Sequence, residues 1–170
     1  MKRFDMSRIL SMSILIIILI VAGCAEIHRP TLDAGANFNR ETAHVKEGRF
    51  DQAIPDYTKT KEINPRVTNQ YVKRGVAYFK KGQYDQAISD FTKAIELSPE
   101  DAVAYINRGV AYIKKGQYDL AIYDITKFIE INPKYAHAYY NRGLAYSEKG
   151  QYDQAVSDFT KFIEINPKCA

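Results

Sequence analysis

The sequence predicts an all-α solenoid of four helical hairpins, and three observations carry that prediction. Pro65, Pro99, Pro133 and Pro167 stand at a fixed period of 34 residues. Three of the four prolines close copies of one pattern: Arg-Gly-x-Ala-Tyr, then Lys-Gly-Gln-Tyr-Asp, then Ile/Leu-Asn/Ser-Pro. Within each copy the apolar residues recur at helical spacing, and no strand pattern is found. A period between 20 and 50 residues marks stacked units that bury their apolar faces against one another. The copies span residues 34–67, 68–101, 102–135 and 136–169, four-fifths of a 170-residue chain.

The first element lies ahead of the repeats. Residues 1–23 hold Lys2, Arg3 and Arg8, then an apolar block from Ile9 to Ala22 broken only by Ser11 and Ser13. A bilayer-spanning helix needs about 20 apolar residues, so this shorter run fits a secretory signal better than a membrane span. The run Val21-Ala22-Gly23-Cys24 resembles the lipobox of bacterial lipoproteins. The resemblance implies lipidation of Cys24, cleavage before it, and anchoring to a bilayer; the rival reading is an uncleaved anchor that ends in a cysteine. An Asp after the lipidated cysteine retains such proteins in the inner membrane, and Ala25 stands there instead, which favours the periplasmic face of the outer membrane. Residues 24–33 read as a tether. Acyl chains contribute about 0.8 kcal/mol per buried methylene, and firm anchoring takes more than one chain.

The second copy shows how each hairpin is specified. Tyr71, Gly75 and Tyr78, flanked by Val72, Val76 and Phe79, give its first helix a wide apolar side. Lys81-Gly82 ends that helix, because glycine accepts the left-handed backbone. Asp85 stands near the positive end of a second helix, which carries Ala87, Ile88, Phe91, Ala94 and Ile95 on one face and stops at Ser98-Pro99. Small residues at matching places, Gly75, Gly109 and Gly143 against Ala53, Ala87, Ala121 and Ala155, let the two helices approach closely.

This pattern resembles the tetratricopeptide repeat, whose signature falls on Tyr71, Gly75, Tyr78, Ala87, Phe91 and Pro99 and again in copies three and four. The resemblance implies a right-handed superhelix. Arg replaces the signature Leu throughout, and Phe128 and Phe162 stand where copy two has Ala94, so the later hairpins are expected to pack differently. Copy one departs further, with Glu41, His44, Thr60 and an intrahelical Pro55. Glu41 and His44 are expected as adaptations of a terminal, water-facing unit.

Arg40, Arg74, Arg108 and Arg142 recur 16 residues before Asp56, Asp90, Asp124 and Asp158, so a salt bridge is expected inside each hairpin. The rival is that both charges are solvated independently.

Nothing in the chain points to an enzyme, a metal site or a cofactor. His28, His44 and His137 are scattered, with no Cys cluster and no Gly-rich loop after a strand. The net charge is +4, of which Lys2, Arg3 and Arg8 against Asp5 supply half, and acidic and basic residues are interleaved through the repeats. That distribution excludes a nucleic-acid surface.

What remains is a binding surface. In tetratricopeptide proteins the first helices line a groove that holds a peptide or partner helix. Carried over by position, the groove here comprises Val72, Val76, Phe79, Ile106, Val110, Ile113, Tyr140 and Leu144. Asn39, Asn107 and Asn141, with Lys73 at the same position in copy two, form a row that holds a peptide backbone or merely steadies the hairpins. The Lys/Arg/Asn set that grips acidic chaperone tails in this family is not reproduced, so an apolar ligand is expected. A second expectation is self-association through the last repeat, at Phe162, Ile163, Ile165 and Cys169. Cys169 pairs between chains or stays a thiol on a frayed tail.

Overall fold

The computed structural model describes residue 40 and residues 43–63 and 66–166. Cys24, Asn39, Glu41 and Cys169 lie outside the described residues. The fold is an all-helical solenoid. A helical stretch at residues 43–46 leads into α1 (Phe50–Ile63), and three full hairpins follow: α2 (Thr68–Lys80) with α3 (Tyr84–Leu97), α4 (Ala102–Lys114) with α5 (Tyr118–Ile131), and α6 (Ala136–Glu148) with α7 (Tyr152–Ile165). Each helix packs on its neighbours in the chain, and the first helices also touch in series, α2 with α4 and α4 with α6. That series contact places the first helices on the inner side of the stack. Among the described residues no helix is long and apolar enough to cross a membrane.

The helix ends follow from local chemistry. Gly82, Gly116 and Gly150 adopt φ of 75°, 70° and 73°. In each case the glycine's own amide and the next one turn back: Gly82 N–H donates to Phe79 C=O and Gln83 N–H to Tyr78 C=O, both at 2.9 Å. This satisfies carbonyls that a helix end otherwise leaves bare. Asp101 caps α4 by accepting from the Ala104 N–H at 3.1 Å. Pro55 lies inside α1 without ending it, and is exposed.

The core is a row of small contacts filled by one large side chain per unit. Ala53, Ala87 and Ala121 are fully buried between the helices, and Phe91 and Ile125 are completely enclosed. A methyl group built on Gly109 falls 2.7 Å from Ile125 Cγ1 and 3.3 Å from the Ala121 carbonyl oxygen. Gly109→Ala therefore sets overpacking of about 1–3 kcal/mol against a helix preference of about 1 kcal/mol. We expect a net loss, read as a lower Tm by circular dichroism; an unchanged or raised Tm contradicts the packing account.

The repeated Arg and Asp meet in all four copies. Arg40 Nε lies 2.9 Å from Asp56 Oδ2; Arg74 Nη2 is 2.6 Å from Asp90 Oδ1; Arg108 Nε and Arg142 Nε each lie 2.7 Å from Asp124 and Asp158. In all four copies both carboxylate oxygens accept, and in the last three the Asp is buried. The third guanidinium nitrogen reaches back one unit: Arg74, Arg108 and Arg142 donate Nη1–H to Thr58, Thr92 and Thr126 at 2.9–3.0 Å. Arg108 also lies against the Tyr105 and Tyr112 rings, and Arg142 against Tyr139 and Tyr146. The hydrogen bonds that Arg74 donates to Asp90 hold its pKa above the ordinary value despite the opposing effect of burial. Arg74, Arg108 and Arg142 are thus rivets through their own hairpins and into the preceding ones.

Copy one corrects an expectation. His44 is not turned to water: its side chain is mostly buried, and its Nε2 lies 3.8 Å from Asp56 Oδ2 beside Arg40. It occupies the place of the tyrosines that flank the buried arginines, so packing against the Arg–Asp pair, rather than surface adaptation, accounts for its position.

Candidate functional site

The first helices and the loops between hairpins build one large concavity. A cavity of about 1060 Å³ opens between α4 and α6. Ala102, Val103, Ile106, Asn107 and Val110 of α4 form one wall, and His137 and Asn141 of α6 the other. Phe128 and Ile131, at the end of α5, and the connection Asn132-Pro133-Lys134-Tyr135 complete it. Its lining is mainly apolar, carries no carboxylate, and has Lys134 as its one fixed cation. The volume lies just above the usual range of small-ligand pockets, which leaves room for the anchoring side chains of a peptide.

Local sequence explains the shape. Asn132-Pro133 stops α5, since the residue before proline avoids helical angles, and a two-residue turn then starts α6. Phe128 replaces the small Ala94 of the preceding unit and is mostly buried, with its ring edge-on to Tyr135 at 5.3 Å. The tyrosine in turn lies 5.9 Å from His137, which meets Phe162 at 5.8 Å. An aromatic chain therefore runs from the cavity floor to the last helix.

Four of the expected groove residues meet in this cavity: Ile106, Asn107, Val110 and Asn141. Asn107 donates one amide hydrogen to the Val103 carbonyl at 2.7 Å, steadying its own helix while it lines the wall. Ile113 is half-buried and packs on the cluster of Ile125, Phe128 and Ala138. Tyr140 is exposed and tilts over Phe159 and Phe162, while Leu144 and Lys73 are half-buried. Val72 is a correction: only 8% exposed, it belongs to the core with Tyr71 and Phe91. Val76 and Phe79 pack partly buried against that same core. The reason is angular. Val72 stands beside Tyr71 on a helix whose apolar side is wider than the strip facing the groove, and its neighbours take that flank.

Sequence reasoning missed Phe128, Ile131, Asn132, Lys134, Tyr135 and His137, because it considered only first helices. The Ala-to-Phe change at position 128 was the available signal. In the last unit, Phe162 is half-buried against Tyr140 and His137, Ile163 is 44% exposed and Ile165 half-buried.

Stacked hairpins with an apolar inner cavity and riveted arginines define a helical-repeat interaction protein. The chain belongs to the tetratricopeptide repeat family: residues 75–116 match the TPR repeat, and residues 102–135 and 136–169 each match the tetratricopeptide repeat. Among solved structures it is similar to a crystal structure of MamA, at 30% identity over 79% of each chain and a TM-score of 0.76. MamA from Desulfovibrio magneticus RS-1 shares the fold at 24% identity, covering 79% of this chain and 76% of that one, with a TM-score of 0.77. The second repeat domain of Spaghetti (RPAP3), bound to the HSP90 peptide SRMEEVD, is 30% identical over 58% of this chain and 92% of its own, at a TM-score of 0.57. No curated protein matches.

Proposed function

We propose that this chain is a lipid-anchored, non-catalytic interaction scaffold of the bacterial cell envelope. It is held through Cys24 at the periplasmic face of the outer membrane and grips a peptide or partner helix in the cavity between α4 and α6. The observation that supports it most is that open cavity of about 1060 Å³, walled by Ile106, Val110 and Phe128 within a repeat array. A membrane-held array needs no chemistry of its own; it concentrates a partner at a surface. The similar RPAP3 domain is bound to an acidic HSP90 peptide. Here the lining is apolar around a single Lys134, which suits a partner that inserts aliphatic or aromatic anchors. Asn107 and Asn141, across the cavity from one another, supply amide groups for the partner's backbone.

The full chain with Val110→Glu tests the groove, and Cys24→Ser tests the anchor. A carboxylate placed in an apolar contact lacks a partner, so copurification of envelope proteins is expected to fall about tenfold. Val110 is only half-buried, so folding is expected to survive. Cys24→Ser should abolish palmitate labelling and move the chain from the detergent to the aqueous phase. Equal capture by wild type and Val110→Glu removes the groove reading; an unchanged phase partition removes the anchor.

A further inference from the structure

Among the described residues the outer face of α7 repeats, without a cover, the surface that α3 and α5 present to the next hairpin. Tyr118, Ile122 and Ile129 of α5 are half-buried under α6, and Tyr84, Ile88 and Ile95 of α3 are half-buried likewise. Their counterparts on α7 are open: Tyr152 is 67%, Val156 64% and Ile163 44% exposed. Phe159, in the place of the enclosed Phe91 and Ile125, is only half-buried.

The polar half of the same interface is also left without its complement. At each internal junction a lysine at the end of the following first helix pairs with the aspartate at the start of the preceding second helix: Lys81 with Asp51, Lys115 with Asp85, Lys149 with Asp119. Seven residues before each lysine, the arginine donates to the preceding Thr58, Thr92 or Thr126. On α7 the corresponding Asp153 has no ion-pair partner among the described residues, and Thr160 makes a hydrogen bond to the Val156 carbonyl of its own helix. Small residues complete the incoming pattern. Ala104 and Ala138 pack in the core clusters of the preceding hairpins, and Ala111 and Ala145 are fully buried.

We propose that the outer face of α7 is a docking surface for a helix of another protein carrying Ala-x-x-x-Arg-x-x-Ala-x-x-x-Lys, its lysine on Asp153 and its arginine on Thr160. Charge complementarity selects that occupant over a second copy stacked head to tail. At the lysine position the chain's own first copy has Glu47, seven residues after Arg40 and paired with Arg49, so a carboxylate rather than an ammonium would face Asp153. This surface is distinct from the cavity between α4 and α6, and its partner is read by charge register as well as by apolar area.

The probe is a helix-stapled peptide with the sequence of residues 136–151, which contains Ala138, Arg142, Ala145 and Lys149. It is titrated into the full chain by fluorescence anisotropy. Saturable one-to-one binding is expected, weakened about fivefold by Asp153→Lys and about tenfold by Val156→Glu. On the Asp153→Lys background, a peptide with Lys149→Glu should bind more tightly than the unaltered peptide; Val110→Glu should leave binding unchanged. Both α7 positions are exposed, and far-UV circular dichroism checks that the variants fold. Absence of saturable binding overturns the proposal. So does binding lost with Val110→Glu but kept with Asp153→Lys, which assigns the peptide to the cavity. Concentration-dependent doubling of the full chain's mass, abolished by Val156→Glu, overturns it too and makes a second copy the occupant.

Discussion

Asp124→Ala is expected to destabilise the array by about 3–5 kcal/mol, because it strands a buried guanidinium. Asp124 is 1% exposed and accepts from Arg108 Nε at 2.7 Å and Nη2 at 2.8 Å. With the carboxylate gone, Arg108 keeps Thr92 at 3.0 Å and two tyrosine rings, none of which carries compensating charge. The same change at Asp56 is expected to cost far less, about 1 kcal/mol, since its partner Arg40 is half exposed and reaches water when the pair is broken. Replacing both members, Arg108→Met with Asp124→Leu, should recover most of the loss, since a buried pair and an apolar filling are often of similar stability. Urea unfolding of the three variants against wild type checks this ordering. Equal effects at Asp124 and Asp56 would show that burial is not what makes the pair matter. Because Arg108 also bonds to Thr92, hydrogen exchange in Asp124→Ala should quicken in α3 as well as in α4 and α5.

Phe91→Ala should cost about 3–5 kcal/mol, and Phe159→Ala distinctly less, although the two residues hold one repeat position. Phe91 is completely enclosed, with its ring so close to Gly75 that an added methyl group would meet it at 2.6 Å. The rest of its cage is Tyr71, Val72, Ala87, Ala94 and Ala104, from both its own hairpin and the next. Truncation leaves a cavity that these small residues cannot collapse into. Phe159 meets Gly143 in the same way, but no following hairpin among the described residues encloses it, so water or a shift of Tyr140 fills the gap. Thermal unfolding of both variants separates the readings. Equal losses would mean that the α7 face is as well covered as the interior.

Much of this architecture was legible in one dimension. The 34-residue spacing of the prolines gave the unit, the Lys-Gly steps gave the helix ends, and the Arg and Asp register gave the pair inside every hairpin. Those features are local or periodic, so the chain displays them whatever its fold does later. What periodicity hid is what differs between equivalent positions. Val72 and Ile106 hold one position in successive units, yet one is core and the other lines a cavity, because their neighbours differ. Phe128 and Phe162 share a position and separate only in whether another helix follows.

The sequence by itself determined the repeat unit, its helix boundaries and the Arg–Asp pairing, since each is fixed by residues within about half a repeat of one another. The tertiary structure alone decided that the pairs are buried and tied through threonines to the preceding unit. It also decided that the cavity opens between α4 and α6, and that no described residue covers the apolar and acidic outer face of α7. Burial is a property of stacking, and stacking joins residues that identical copies of a motif cannot tell apart.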